Sequence, residues 1–374
     1  ETFKIPPKGI LPVFNISISN PRKVNDALNP YTMYRISTWT NSTAYKKKEF
    51  AVERRFRDFL WLYEQLSSNN QGIIVPPPPE KNAIGRFQDD FVESRRRSLE
   101  IMLKKITAHP LLYGDPDIKF FLESESFAIE VVQRKKETSK GLFKIFGDAV
   151  SNATASFTKF SEPDEWFESR KYQVDQLEVQ LKALYKSVEL VSKQRKHLGD
   201  DHLDFGEALV ALASAEVNKG LSKHFLELGN LQKKLKDIQE LQSKQDSSTI
   251  AATAELYLRS IASVKACFAS RTKSYSSWQT LEIEYEKKQT ALIKAQGSKA
   301  RPDKCSQLQT EVNQLERKVI AAKNEFEDMS KLVKDELDRF DKEKIEDFQV
   351  GIEEFLEKMI VNQREIVKLW ENFI

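Results

Sequence analysis

Two adjacent arginines, Arg54 and Arg55, followed by Phe56, Arg57, Asp58 and Phe59, form a dense grouping of charged and aromatic side chains. Four prolines, Pro76 to Pro79, and then Lys81 lie downstream. Guanidinium groups pair bidentately with phosphate oxygens and stay charged, and an aromatic ring beside them offers a surface on which a ligand can stack. The grouping can therefore hold a phosphorylated ligand. The same residues also fit a solvated edge where a strand meets a helix, and taken alone they leave both readings open.

The elements that must position these residues follow from periodicity. Val13 to Ser19 alternates apolar and polar at period two, Tyr31 to Trp39 repeats the pattern more loosely, and Lys46 to Arg54 opens with three lysines before alternating at Phe50 and Val52. Asn20-Pro21 and Asn29-Pro30 read as turn punctuation, so the simplest assembly is an antiparallel meander that delivers Arg54 and Arg55 at the end of its third strand. A helix over Arg57 to Ser67 follows, with Phe59, Leu60, Leu62, Tyr63 and Leu66 on its apolar face. The prolines can be neither helix nor central strand and are expected as an exposed polyproline II segment that carries Lys81 on a stiff support. From Gln88 an amphipathic helix runs through Phe91, Val92, Leu99, Met102, Leu103 and Ile106 to His109-Pro110. Arg95, Arg96 and Arg97 sit near its start, and at least one of them must point toward the sheet. A short helix over Asp117 to Leu122 closes this part.

The remainder is helical and poor in proline. In Gly141 to Phe160, the residues Phe143, Phe146, Val150, Ala153, Phe157 and Phe160 recur at steps of three and four, with Ser, Thr, Asn, Lys144 and Lys159 opposite. Such a helix can lie in a membrane interface or pack on a neighbouring bundle. Three long helical segments follow, over Trp166 to Val217, Ser222 to Ala295 and Asp303 to about Phe373. Asn218-Lys219-Gly220 and Gly297 to Pro302 separate them, and Ser247-Ser248-Thr249 is expected to loosen the second. At 1.5 Å per residue the second and third would each reach on the order of 100 Å, which implies an elongated antiparallel bundle whose broad apolar faces invite a second chain. Lys287, Lys288, Lys294, Lys299, Arg301 and Lys304, with only Asp303 opposing them, make the hairpin tip basic. That tip suits anionic lipid or is simply a solvated face.

The 374 residues are 40% hydrophobic and 31% charged with a net charge of +3, so attraction to an acidic partner must come from local patches. Nucleic-acid binding is poorly supported, because the basic residues are not gathered into an aromatic-studded groove. Cys267 and Cys305 have no CxxC spacing, and His109, His197, His202 and His224 are scattered, which disfavours a metal site, a disulfide framework and a nucleophile-and-base pair. No cofactor is expected. No apolar run approaches the roughly 20 residues that cross a bilayer, and no secretory leader is visible. The chain starts at Glu1 and not at methionine, so residues ahead of it are expected.

Arg54-Arg55-Phe56-Arg57-Asp58-Phe59, the prolines ending in Glu80-Lys81, and Arg95 together resemble a PX domain, the phosphoinositide-binding module. Ser263-Val264-Lys265-Ala266-Cys267-Phe268 through Trp278, Arg301-Pro302-Asp303-Lys304 and Lys368-Leu369-Trp370-Glu371 resemble the BAR region of PX-BAR sorting nexins, most closely the retromer-associated members. The resemblance implies an α+β PX domain over 1–136, with a three-stranded antiparallel sheet plus helices. It further implies a linker with an amphipathic helix over 137–164 and an all-α elongated three-helix BAR domain over 165–374, forming a dimeric crescent. It also implies a non-enzymatic endosomal coat subunit binding phosphatidylinositol 3-phosphate. In that likeness Arg55 holds the 3-phosphate, Phe56 stacks beneath the inositol where many relatives have tyrosine, Lys81 reaches the 1-phosphate and Arg95 bonds the 4- and 5-hydroxyls. Arg54 and Arg96 are secondary candidates. Ala83, Ile84 and Phe87 sit where relatives dip a loop into the bilayer, and Phe143, Phe146, Val150, Phe157 and Phe160 match the wedge helix. The implied partners are a second PX-BAR chain, identical or related, and the retromer trimer. A coiled-coil scaffold with no membrane-bending activity is the alternative.

Overall fold

The computed structural model describes residues 11–25, 30–81, 88–131, 162, 164–297 and 302–374. Three strands, β1 (Phe14–Val24), β2 (Tyr31–Thr40) and β3 (Glu49–Arg55), form an antiparallel sheet in the order β1-β2-β3. Ile18 pairs with Ile36 and Ile36 with Val52, so the period-two pattern places one apolar row on the core face. Asn20-Pro21, expected to end the first strand, lies inside it. Asn20 has φ 48° and the register shifts between Ser19 and Arg22, the signature of a bulge in which asparagine tolerates left-handed backbone and proline needs no ladder partner.

Helix α1 (Phe56–Asn69) starts directly after β3 and buries Phe59, Leu62 and Leu66. Helix α2 (Asp89–Ala108) buries Leu99, Met102, Leu103 and Ile106, which recur at helical spacing and pack into the same core as the sheet. Helix α3 (Pro116–Glu123) begins at Asp115, whose side chain accepts from the Asp117 N–H at 2.7 Å and so caps the helix. Between α1 and α2, Pro76, Pro77 and Pro79 are buried, where exposure was expected. Proline rings are apolar and carry no backbone N–H, so they can be covered without leaving a donor unmet.

The chain packs as two units. One combines residues 1–165 with 262–339, and the other combines 166–261 with 340–374. Four further helices make up the C-terminal region: α4 (Glu165–Ala215), α5 (Lys219–Asp246), α6 (Ala252–Gly297) and α7 (Pro302–Phe373), with a single π turn at Ser247–Ala251 joining α5 to α6. The expected loosening at Ser247-Ser248-Thr249 is this wide turn. Thr249 and Ser248 donate their hydroxyls to the Gln245 carbonyl at 2.7 and 3.2 Å, in competition with the regular ladder. In the second unit α4 meets α5 so closely at Gly206 and Gly229 that a Cβ on either would lie 2.8 Å from the other's carbonyl oxygen.

The first unit joins the sheet domain to α6 and α7 through buried polar groups. Glu336 of α7 is 3% exposed; its Oε2 accepts from the Ile74 N–H at 2.9 Å and from Arg339 Nη2 at 2.7 Å, and lies 3.1 Å from His109 Nε2. Burial alone would raise this carboxyl, but the hydrogen bonds from His109 and Arg339, together with the Arg339 charge, hold it down to about 2. A carboxylate lowered in this way adds stability that is complete above its unfolded value of 4.5 and is lost as pH falls toward 2. Comparing denaturant unfolding of the wild type and Glu336→Gln should show a gap of on the order of 3 kcal/mol near neutrality that closes between pH 4.5 and 2. A gap independent of pH would refute it.

Candidate functional site

Residues on three elements converge where β3 turns into α1. Arg55 is the last residue of β3 and the N-cap of α1; its backbone N–H donates to Asp58 Oδ2 at 2.9 Å, and its Nε approaches Asp58 Oδ1 at 3.4 Å. Asp58 thus fixes the start of the helix and aims the guanidinium. Burial pushes the Asp58 carboxyl up, and Arg55 and Arg54 pull against that shift. The Arg55 side chain remains 36% exposed, and its guanidinium carbon lies 5.5 Å from the centre of the Tyr31 ring.

Arg95, in the second turn of α2, is largely buried and lies between two rings. Its guanidinium carbon is 4.1 Å from the centroid of Phe56 and 4.3 Å from that of Phe91. Nη2 donates to the Glu80 carbonyl at 3.2 Å. The Phe56 ring, expected to lie beneath a ligand, therefore also carries Arg95 against it. Arg95 is tied in turn to the residue immediately before Lys81, and Lys81 is exposed at the end of the proline segment. Phe91 was read from the sequence only as part of an apolar face. Its spacing of four residues from Arg95 on one helix was the signal that it belongs here.

The neighbouring arginines serve the fold. Arg54 is 3% exposed; its Nε and Nη2 donate to the Phe121 carbonyl at 3.0 and 2.6 Å, Nη1 to Glu53 at 2.8 Å, and Nη2 also to Ser124 at 2.6 Å. It lies 4.4 Å from the Phe127 ring centre, and burial lowers its pKa to about 10. With its donors directed at main-chain carbonyls inside the domain, Arg54 is corrected from secondary ligand contact to core residue. Arg96 pairs with Glu93 at 2.9 Å and Glu100 at 2.8 Å and donates to the Ile18 carbonyl at 2.7 Å, so it braces α2 against β1.

At the other candidate surface, Lys287, Lys288 and Lys294 lie in the last turns of α6, and Lys288 is paired with Glu311 of α7 at 2.7 Å, which offsets part of the expected basic charge. Lys299 and Arg301 fall outside the described residues, as do Ala83, Ile84 and Phe87 of the loop and Phe143, Phe146, Val150, Phe157 and Phe160 of the amphipathic stretch. Among the described residues no helix is long and apolar enough to cross a membrane.

Residues 42–125 match the model of the PX domain, and residues 140–374 match the model described as Vps5 C terminal like. The sequence is 34% identical over 371 residues to sorting nexin-1 of Homo sapiens, covering 96% of this chain and 71% of that protein. It is 33% identical over 381 residues to vacuolar protein sorting-associated protein vps5 of Schizosaccharomyces pombe, covering 98% of this chain and 66% of that protein. Among solved structures, the SNX-BAR Mvp1 tetramer aligns with a TM-score of 0.72 at 16% identity, covering 96% of this chain and 99% of that one. That likeness is one of fold.

Proposed function

Because the chain belongs to the sorting nexins, with a PX domain ahead of a Vps5-type helical region, we propose that it is a peripheral coat subunit of endosomal membranes that binds phosphatidylinositol 3-phosphate. Arg55 takes the 3-phosphate, Lys81 the 1-phosphate, Arg95 the 4- and 5-hydroxyls, and Phe56 supplies the ring beside them. The observation that carries this reading is the placement of Arg95, laid on Phe56 and hydrogen-bonded to Glu80. It links the helix to the residue after Arg55 and to the residue before Lys81, which supports the reading. A guanidinium packed against two rings is pre-oriented, so little rotamer freedom is lost when it bonds a ligand.

The helical region pairs with a second PX-BAR chain, identical or related, and bends membrane into tubules for retromer-dependent sorting from endosome to Golgi. What supports pairing is an apolar row on α4 at steps of seven, Val191, Leu198, Phe205 and Leu212, each at least 45% exposed in the single chain. Such a row is the seam expected of helices that complete their core with another subunit. The name of the fission-yeast relative supports the sorting role.

Flotation with vesicles of matched charge tests the lipid assignment. Binding to phosphatidylinositol 3-phosphate should exceed binding to the 3,5-bisphosphate by about ten-fold or more, because added phosphates displace hydroxyls that Arg95 would bond. Equal binding to all acidic vesicles would overturn the selectivity, and no binding to any would overturn the membrane role.

A further inference from the structure

The elements that carry the proposed site also meet the helical arms at points away from that site. Helix α1 starts at Phe56, and two turns later its Tyr63 hydroxyl lies 3.0 Å from Ser263 Oγ on α6. The proline segment ends at Glu80 and Lys81; at its root the Ile74 N–H donates to Glu336, and the Val75 carbonyl accepts from Ser263 Oγ at 2.8 Å. Helix α2 carries Arg95 in its second turn and is closed by His109 at its C-cap, whose Nε2 lies 3.1 Å from Glu336. His109 Nδ1 accepts from the Leu111 N–H at 3.1 Å, which leaves Nε2 as the nitrogen that donates to the carboxylate. Gly72, at φ +87°, lets the chain approach α7 so closely that a Cβ there would lie 2.6 Å from Met329 Sδ and 3.1 Å from Leu332 Cδ2.

We propose that Glu336, with Ser263, is a positioning residue for the phosphoinositide site, setting the relation of Phe56, Lys81 and Arg95 from the middle of α1, the root of the proline segment and the far end of α2. The inference rests on the lipid reading above. The mechanical argument lies in the segment between root and tip. Four prolines fix φ and offer no N–H, so Ile74 to Lys81 behaves as a semi-rigid strut, about 3.1 Å per residue where fully extended. A stiff strut carries a displacement of its root to its tip, where a flexible loop would absorb it. Glu336 holds that root and the end of α2 with one oxygen, so a single side chain registers Lys81 against Arg95. By reciprocity, head-group binding that draws Lys81 and Arg95 together tightens the contacts at Glu336, and the packing of α6 and α7 in turn biases affinity for the lipid.

The 374-residue chain and its Glu336→Ala, Glu336→Gln, Ser263→Ala and Arg55→Ala variants are compared by flotation with vesicles containing phosphatidylinositol 3-phosphate and with phosphatidylserine vesicles. Hydrogen exchange over residues 72–81 and 88–110 is followed with and without the phosphoinositide. Glu336→Ala should lose about five- to ten-fold in phosphoinositide binding while leaving phosphatidylserine binding unchanged. Exchange near Ile74 should accelerate, and Glu336→Gln, which keeps an acceptor oxygen, should recover most of the affinity. Ser263→Ala should fall between, and lipid should slow exchange at Ile74 in the wild type. Undiminished affinity in Glu336→Ala with accelerated exchange at Ile74 would overturn the proposal, as would an equal loss for both vesicle types or faster exchange throughout the domain. If Glu336→Ala fails to fold, Ser263→Ala and lipid protection at Ile74 in the wild type decide in its place. Should Arg55→Ala bind as well as the wild type, the lipid site itself is misassigned, an outcome distinct from failure of Glu336 alone.

Discussion

Arg54→Ala should destabilise the sheet domain by about 3–5 kcal/mol, while Arg55→Ala should leave stability within about 1 kcal/mol and remove phosphoinositide binding. The two residues are adjacent, but successive strand side chains point to opposite faces. Arg54 turns inward, where it satisfies the carbonyls of Phe121, Glu53 and Ser124 and lies against Phe127. Removing it leaves buried acceptors unmet and a void, each effect large in a core. Arg55 turns outward, and its tie to Asp58 is a partly exposed pair of the kind that contributes little. A loss of the phosphate bonds proposed for it, at about 1.5–3 kcal/mol for each bond to a charged group, is enough to bring flotation to background. Thermal unfolding and vesicle flotation on both variants check this. Similar melting temperatures for the two, or retained binding by Arg55→Ala, would refute the division of labour.

The second large effect lies in the helical region. Asp246 is 0% exposed; it lies 2.8 Å from Arg195 Nε of α4 and accepts from Gln242 Nε2 at 2.6 Å, and Gln242 in turn accepts from Asn362 at 2.7 Å. The angle at Arg195 Nε is poor for a hydrogen bond, so the pair is held by charge. Arg195→Ala should therefore destabilise by about 3–5 kcal/mol, since it strands a carboxylate with no access to water. Asp246→Ala should be milder because Arg195 is 24% exposed and can turn outward. The paired change Arg195→Met with Asp246→Leu should lie near the wild type. Urea unfolding of the three variants reads the order, and a double variant as unstable as Arg195→Ala would refute the charge argument.

Much of this was legible in the residues, and the exceptions share a cause. The strands followed from alternation and the helical faces from steps of three and four. The inward turn of Arg54 was legible too, because it shares the parity of Phe50 and Val52. What local pattern could not show was anything set by a distant partner. Three of the four prolines are buried, and the root of their segment is held by Glu336, which lies 262 residues beyond Ile74. The tie of Lys288 to Glu311 crosses from one helix to the next. Asn20-Pro21 carries the same dipeptide signal whether it ends a strand or bulges one; only pairing with β2 decides.

The wide turn at Ser247–Ala251 also works as a phase correction in a screw thread. Gln245 before it and Thr253 and Tyr257 after it all face α7, at Asn362, Gly351 and Asp347. At 100° per residue, Thr253 and Tyr257 would arrive about 80° and 120° away from the line of Gln245. A π turn absorbs one extra residue, and the lag brings both to within about 20° of that line. Deleting one residue there would keep the helix intact, yet everything beyond it would arrive rotated off its partner.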